Sequence, residues 1–348
     1  MLNEVCYKIS EVIHGVLAAH TEVKDGAICH PTENYSSIYR LQCGLLGIVV
    51  GDNLPEDSLF KYIIDDCEEF EKQAIESFEG WFKQQSFADI DLSELYELML
   101  LLEFPVSDGR IVEDKENLNS IGTFYTPAEL AEKIVEITLN DYIHRNAGIE
   151  HFSTSNITAE EVQKVTELLT GSTFADHSCG TGNFFLAVIQ YCRLYLNPSK
   201  KTLRKIVLNF HATEADSISL EIAKLQLLNV IESPELYDEV DGNFIHANPL
   251  ITSTDTPFPF EHFHEFYYGK ELAMSLDQIP VCDVVLGNPP WGTVEFDTAF
   301  HLHVLCPRIL EIEDETERDQ ALDELAESHP ELYEWLLYHD EAIDLAIE

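Results

Sequence analysis

The stretch TFADHSCGTGNFFLAVIQYCRLYL, residues 173–196, decides the fold that we predict for this chain. It opens with short apolar residues that end on an acid, continues through two glycines and closes on a run of apolar residues at helical spacing. We interpret it as a strand, a tight loop and a helix. The glycines allow the loop to turn sharply and its backbone to approach a ligand closely.

The same order of elements continues toward the C-terminus. A strand is predicted over 205–216 (KIVLNFHATEAD) and a helix over 219–231. A short strand over 243–250 and a fourth strand over 281–291 (VCDVVLGNPPW) follow. This alternation predicts an α/β fold with a parallel, doubly wound sheet. Such sheets bind ligands beyond the carboxyl ends of their strands, so the residues there are the first candidates for a site.

Three regions of the chain differ in pattern. Residues 1–115 are predicted to be α-helical, because apolar residues recur at helical spacing. A polar segment with turn residues, 106–122, is the predicted boundary. Residues 116–300 carry the α/β pattern, and residues 301–348 form an acidic tail in which only helices are predicted. The helical segments of the first region are 36–50, 59–78 and 92–104.

Two helix starts are predicted from capping signals. Thr126 is expected to cap a helix with Pro127 at its first position and Glu129 three residues after the cap. Thr158, followed three residues later by Glu161, predicts a second capping box.

The net charge is strongly negative. The chain has 64 Asp and Glu against 20 Lys and Arg, a net charge of −44. Such an excess normally argues against binding to nucleic acid. The acids are spread over the whole chain, which indicates adaptation to high salt, where the Debye length is about 3 Å at 1 M and self-repulsion is screened. Local basic clusters then become informative. One compact basic cluster consists of Lys200, Lys201, Arg204 and Lys205. It is predicted to lie in the loop before the second strand, where it either contacts phosphate or is solvated.

Several protein classes are excluded by composition. The hydrophobic fraction of 45% predicts a globular chain. No apolar run of about 18 residues predicts a membrane span, and the N-terminus does not resemble a secretory signal. Eight cysteines without a C-x-x-C pair indicate reduced thiols in a cytoplasmic protein. The pairs His262/His264 and His301/His303 lack a complete four-ligand spacing, so no metal is predicted.

Polar residues end each predicted strand. A carboxylate before the glycine loop can take the charge of an ammonium group. An acid at the end of the second strand can bind two ribose hydroxyls, or it is a solvated strand end. Asn248 can contact an adenine ring or form an Asx turn before Pro249. The strand-end residues are Asp176, Gly180, Gly182, Glu214, Asp216, Asn248 and the NPPW of 288–291.

Together these segments resemble the gamma-class N6-adenine DNA methyltransferases, especially the type IIG restriction–modification and BREX-associated enzymes. IGTFYTP (121–127) is similar to their motif X and FADHSCGTGNFF (174–185) to motif I. ATEAD (212–216) is similar to motif II and GNPPW (287–291) to motif IV, in the order typical of the family. The resemblance covers 116–300 well and the helical N-terminus loosely.

The chain departs from the family pattern at two positions. His177 stands where motif I usually has a proline. Asn248 stands where an Asp is common, and this weakens its assignment as an adenine contact.

The resemblance implies a Rossmann-like class I methyltransferase sheet that binds S-adenosylmethionine. It implies no metal. By motif position, the cofactor-binding residues would be Tyr125, Thr126, Pro127, Asp176, Cys179, Gly180, Gly182, Phe184, Glu214, Asp216 and Asn248. The catalytic residues would be Asn288, Pro289, Pro290 and Trp291.

The NPPW segment suits transfer of a methyl group to an exocyclic adenine amine, which is a poor nucleophile. Asn288 and the Pro289 carbonyl can each accept a hydrogen bond from that amine and stabilise the positive charge that develops on it. The prolines stiffen the backbone that holds both acceptors. Trp291 offers a surface on which a flipped base can stack. The implied partner is double-stranded DNA with a flipped adenine, in restriction–modification or phage defence.

The residues after Trp291 do not show all the elements that the family has. We find neither strands five to seven of a seven-stranded methyltransferase sheet nor a target-recognition domain. We therefore expect a fragment, one piece of a split gene or a degenerate copy. A second chain would carry the remaining motifs and the recognition domain.

Three functions stay open at this point. The first is a DNA adenine methyltransferase. The second is a protein-glutamine or RNA-guanine methyltransferase, since both families use N-P-P-aromatic segments, although motif X and the helical N-terminus favour the first. The third is a cofactor-binding or interaction subunit that is inert without its partner. A PD-(D/E)xK nuclease centred on Asp108, Glu113 and Lys115 is disfavoured, because the first spacing leaves no room for a strand.

Overall fold

The structure is a computed structural model of the 348-residue chain. It describes residues 1–85, 87, 90–113, 126–150, 152–153, 157–247, 281–289 and 297–347, without the side chains of 315 and 340–347.

The described residues of the N-terminal region form five α-helices around a shared apolar core. Ile9, Leu41 and Phe60, from three different helices, are completely buried in it. The segment predicted as one helix over 59–78 is two helices, because the chain is extended at Cys67 and Glu68 between them. The helices are α1 (Leu2–His20), α2 (Pro31–Val50), α3 (Leu59–Asp66), α4 (Glu69–Phe82) and α5 (Leu92–Met99).

Two short antiparallel hairpins accompany these helices. They are formed by β1 (Val23–Lys24) with β2 (Ala27–Ile28) and by β3 (Val106–Ser107) with β4 (Arg110–Ile111). Each turn is an Asp-Gly pair with positive φ at both residues, the preferred chemistry of a two-residue hairpin. The prediction of a polar linker is therefore wrong for its first residues, which form the second hairpin.

Four parallel strands form the sheet of the α/β region. Their order is β7–β6–β5–β8, and all three pairs are parallel. This confirms the predicted parallel sheet, which is compatible with a Rossmann-like domain. The elements are α6 (Ala128–Ala147), α7 (Ala159–Gly171), β5 (Phe174–Asp176), α8 (Asn183–Leu196), α9 (Lys200–Val207), β6 (Phe210–Glu214), α10 (Ser217–Val230), α11 (Tyr237–Asp241), β7 (Phe244–His246) and β8 (Val284–Val285).

The strand order creates a topological switch point between β5 and β8. From β5 the chain moves outward to β6 and then to β7, and it later returns to pair β8 on the other side of β5. The carboxyl ends of β5 and β8 therefore mark the place where doubly wound sheets bind ligands, and we call this place the crevice between β5 and β8.

The predicted strand over 205–216 is wrong in its first half. Residues 200–207 form α9, whose N-terminus is capped by Ser199, and the strand begins only at Phe210. Leu203, Ile206 and Val207 are buried at helical spacing. The basic cluster consequently lies on a helix and not in a loop.

The two predicted helix starts have different outcomes. The capping box of Thr158 and Glu161 is present, so that prediction is confirmed. The Thr126 cap is wrong: α6 begins at Ala128, directly after Pro127, and no side chain caps it.

Helix α10 is buried on nearly all sides and joins the N-terminal helices to the sheet. It packs on β6 and β7 as well as on α3 and α5, so it is covered on more than one side. Its charged residues are paired: Glu221 lies 2.6 Å from Lys224, which lies 2.7 Å from Asp241. Ser58 of the N-terminal region donates to Glu221 at 2.6 Å, and Tyr237 donates at 2.8 Å.

The C-terminal residues are helical, as predicted, and pack back on the N-terminal region. The helices are α12 (Thr298–Leu305), α13 (Glu315–Ser328) and α14 (Pro330–Ile347). Glu331 lies 2.6 Å from His30, His329 contacts the Lys24 carbonyl at 2.9 Å, and Trp335 stacks on Tyr35. Among the described residues, no helix combines the length and apolar character that crossing a membrane requires.

Candidate cofactor and substrate site

The crevice between β5 and β8 brings two of the predicted motifs into contact. The Leu286 amide donates to the Ala175 carbonyl at 2.8 Å, which aligns the ends of the two strands. Gly287 then lies directly against Asp176: a β-carbon at position 287 would stand 3.0 Å from the Asp176 Oδ1 atom. Asn288 follows half-buried and Pro289 exposed, at the mouth of the crevice.

Asp176 is the buried acid of this site. Its side chain is inaccessible to solvent, and Oδ1 accepts a hydrogen bond from the Ser178 amide at 3.1 Å. Among the described residues, no donor reaches Oδ2. Loss of solvation raises the pKa of Asp176 to about 7; the Ser178 amide opposes this rise and the nearby Glu214 adds to it. A buried carboxyl with an unsatisfied oxygen in a crevice is a candidate partner for a positively charged ligand group.

The glycine loop depends on backbone conformations that suit glycine. Gly180 has φ 51° and Gly182 has φ 91°. Space is also restricted at Gly182, where a β-carbon would meet the Ala223 β-carbon at 3.1 Å. The loop is fastened to the next strand by a hydrogen bond from the Cys179 amide to the Thr213 carbonyl, at 3.2 Å. Both glycines thus adopt backbone conformations that favour glycine, and Gly182 also has restricted space for a side chain.

The two acids at the end of β6 have different surroundings. Glu214 accepts from the Gly180 amide at 2.8 Å and from the Asp216 amide at 3.0 Å, and loss of solvation raises its pKa. Asp216 caps α10 by accepting from the Ile218 amide at 3.0 Å. It also accepts from the hydroxyl of Tyr96 at 2.8 Å. Glu214 therefore faces the glycine loop, whereas both oxygens of Asp216 already have structural partners.

The two described residues of the segment that resembles motif X, Thr126 and Pro127, lie next to the start of α8. The side-chain amide of Asn183, the first residue of α8, donates to the Thr126 carbonyl at 2.9 Å. Thr126 and Pro127 therefore stand beside the start of α8. Cys179 and Phe184 have side chains buried in the core, and burial raises the pKa of the Cys179 thiol well above its usual range. Their side chains serve packing in this structure.

Four predicted site residues lie outside the described residues, and their assignments stay predictions. They are Tyr125, Asn248, Pro290 and Trp291.

No group of three or more metal-binding side chains is close enough to hold an ion within the described parts of the chain. His301 contacts the Tyr35 hydroxyl at 3.0 Å, and burial lowers its pKa to about 4. His303 lies 3.7 Å from Glu103. Both histidines thus contact the N-terminal region. His262 and His264 lie outside the described residues.

Sequence reasoning missed several residues that shape the site. Gly287 is the first residue of the GNPPW segment (287–291), and its place directly after a strand end could have identified it. Asn183, the first residue of α8, stood inside the motif I segment. Tyr96 contacts Asp216 and Gln226 contacts the Thr181 carbonyl of the loop, both from distant positions, and no local pattern marks them.

No protein-family model matches this chain, and no curated protein is similar to it by sequence. Among solved structures it is similar to the cryo-EM structure of a DrdV–DNA complex, with 14% identity over 89% of this chain and 30% of that one, and a TM-score of 0.43. It is also similar to the type IIL restriction–modification enzyme MmeI in complex with DNA, with 13% identity over 71% of this chain and 40% of that one, and a TM-score of 0.37. The chain therefore spans less than half the length of either protein.

Proposed function

We propose that the chain is an S-adenosylmethionine-dependent methyltransferase that acts on the N6 amine of adenine in DNA, in restriction–modification or phage defence. The observation that carries the proposal is the contact between Gly287 and Asp176 in the crevice between β5 and β8. It unites the segments that resemble motif I and motif IV where doubly wound sheets bind ligands. The choice of cofactor and of adenine rests on the resemblance of those segments.

Three parts of the crevice suit the proposed cofactor. When bound, S-adenosylmethionine supplies a methyl group made reactive by its attachment to a sulfonium sulfur. The unsatisfied Oδ2 of Asp176 would receive the ammonium group of the methionine portion. Glu214 would accept from the ribose hydroxyls, since each carboxylate oxygen accepts more than one hydrogen bond. Gly180 and Gly182 would let the backbone approach closely.

Asn288 and Pro289 would act on the base. Their side-chain and main-chain carbonyl oxygens would accept hydrogen bonds from the adenine amine and stabilise the positive charge that develops on nitrogen. The amine proton would leave to solvent. Trp291 would stack on the flipped base. The proposal includes a second chain that supplies DNA recognition.

Cofactor binding is tested by titrating S-adenosylhomocysteine calorimetrically in high-salt buffer. Gly180→Asp should abolish binding, because it places a side chain and a negative charge where the backbone must meet the ligand. Gly109→Asp is the matched control: this glycine also has positive φ, but it lies in the β3–β4 turn with open space around it. Equal affinities of both variants for the ligand would contradict the assignment of the loop.

Catalysis is tested by transfer of a tritiated methyl group to plasmid DNA, with and without the product of the neighbouring gene. Asn288→Ala should lower the rate by about 10²–10³-fold, by analogy with the loss of one oxyanion-hole donor. Affinity for S-adenosylhomocysteine should change little. RNA and protein acceptors in parallel assays distinguish the other methyltransferase classes. Transfer to DNA that is unaffected by Asn288→Ala would contradict the proposed mechanism.

A further inference from the structure

Helix α5 of the N-terminal region is connected to the glycine loop by two separate paths of hydrogen bonds. Ser93 and Tyr96, three residues apart, stand on the same face of α5. Both are buried, with 6% and 3% of their surface exposed. Each reaches the loop through a residue that belongs to α10 or to its cap.

The first path runs through the acids at the end of β6. The Tyr96 hydroxyl donates to Asp216 Oδ2 at 2.8 Å. The Asp216 amide donates to Glu214 Oε1 at 3.0 Å, and Glu214 Oε2 accepts from the Gly180 amide at 2.8 Å. Tyr96 is thus three hydrogen bonds away from the first glycine of the loop.

The second path runs through Gln226 on α10. Its side-chain nitrogen donates to the Ser93 hydroxyl at 2.6 Å and to the Thr181 carbonyl at 3.1 Å. Thr181 is the loop residue between the two positive-φ glycines, and only 1% of its surface is exposed. Ser93 is therefore two hydrogen bonds away from the middle of the loop.

The loop needs such external support. Its glycines can populate many backbone conformations, and fixing one of them costs more entropy than at other residues. Apolar contacts alone would dock α5 on α10, but they would not select the orientation of Glu214 or of the Thr181 carbonyl. A buried hydroxyl that donates to a carboxylate is directional, and each such bond to a charged group adds to the stability of one arrangement. The Ser219 hydroxyl also donates to Asp216 Oδ2, at 2.6 Å, so Tyr96 is one of two donors that orient this oxygen.

We infer that Tyr96, assisted by Ser93, is a positioning residue of the proposed cofactor site: it holds the acids after β6 and the glycine loop in the arrangement that receives the ribose hydroxyls of a nucleoside ligand. The inference rests on the proposed function. It makes the N-terminal helices part of the cofactor site, because Tyr96 and Ser93 act on the site through Asp216 and Gln226.

The test compares Tyr96→Phe, which keeps the ring and its packing, with Tyr142→Phe. Tyr142 also loses a single hydroxyl contact, to Ser172 at 2.8 Å, but neither path includes it. S-adenosylhomocysteine and its 2′,3′-dideoxyribose analogue are titrated against both variants and the wild type. Tyr96→Phe should weaken the ribose ligand by about tenfold, the scale of a hydrogen bond to a charged group. It should leave the affinity for the analogue close to the wild-type value.

The inference would be overturned if Tyr96→Phe bound both ligands as Tyr142→Phe does. It would also be overturned if Tyr96→Phe lowered the affinity for both ligands equally, since that result indicates a general loss of structure.

A measurement without ligand separates this inference from the proposed function. Amide hydrogen exchange over 177–182 should be faster in Tyr96→Phe and in Ser93→Ala than in Tyr142→Phe and in the wild type. Exchange in α8 should stay unchanged. If the wild type bound neither ligand, the proposed function would fail, and unchanged exchange over the loop would refute the positioning role on its own.

Discussion

Replacement of Asp176 by asparagine should make the protein more stable at alkaline pH and poorer at binding its ligand. The pKa of this carboxyl rises from 3.8 to about 7 on folding. Between these values the folded chain binds more protons than the unfolded chain, so stability falls as pH rises through this window. Below pH 4 the carboxyl is protonated in both states, so burying it costs no stability through ionisation. Above pH 7 the penalty of ionisation approaches about 4 kcal/mol, at 1.36 kcal/mol for each pKa unit.

The neutral amide of Asp176→Asn removes this penalty, because nothing ionises in the buried position. The variant should gain up to about 4 kcal/mol over the wild type at pH 8 and far less at pH 5. The asparagine side chain would still bury an unpaired polar group, as Asp176 does with Oδ2. This lowers the net gain in stability by about 1–3 kcal/mol at both pH values. The difference between the two pH values is therefore the sharper quantity, about 2–3 kcal/mol.

Urea unfolding in high-salt buffer at pH 5 and pH 8 measures this difference. Asp238→Asn, which removes the same charge from an exposed position on α11, is the control for the change in net charge. Calorimetry on the same samples should show that only Asp176→Asn loses affinity for S-adenosylhomocysteine. Parallel pH dependences for the wild type and Asp176→Asn would refute the claim that burial raises the pKa of this carboxyl.

Three further outcomes are expected. Gly182→Ala should destabilise the fold by about 1–3 kcal/mol in denaturant titrations, because φ at Gly182 is 91° and Ala223 is close. Its control is Gly80→Ala, in an exposed helical position with open space, which should instead stabilise the fold by about 0.5–1 kcal/mol. Gly287→Ala should weaken cofactor binding at least tenfold, since its β-carbon would press on Asp176, and unchanged affinity would place the ligand elsewhere. The melting temperature should rise steeply between roughly 0.1 and 3 M KCl as the Debye length falls from about 10 Å to below 3 Å; a flat profile would give the acid excess another cause.

The parallel sheet could be predicted because its strands and helices alternate along the chain, and each strand is local. The error over 205–216 has a physical cause. Ile206, Val207 and Leu208 form a short apolar run, and periodicity alone does not separate a buried strand from one side of a short helix. Ser199 as a cap and the helical spacing of Leu203, Ile206 and Val207 were the signals in the sequence that favour the helix.

The candidate site could be predicted only as far as the strand ends. The glycines and acids stand directly after apolar segments, so their common edge follows from a parallel sheet. The contact between Gly287 and Asp176 depends on β8 pairing with β5, and no local pattern specifies that pairing. The links from Tyr96 and Gln226 join residues more than a hundred positions apart. Such contacts form only when α10 is packed between the sheet on one side and the N-terminal helices on the other.

The coverage of α10 also sets the order in which the chain can mature during synthesis. Its hydrogen bonds to Tyr39, Ser58 and Tyr96 span 178, 163 and 120 residues. At about 5–20 residues per second, the ribosome needs roughly 6 to 36 seconds to supply these partners. During that interval the hydroxyl-bearing faces of α2, α3 and α5 meet water or a chaperone. The N-terminal helices are made first, yet they reach their final packing only after α10 has left the ribosome.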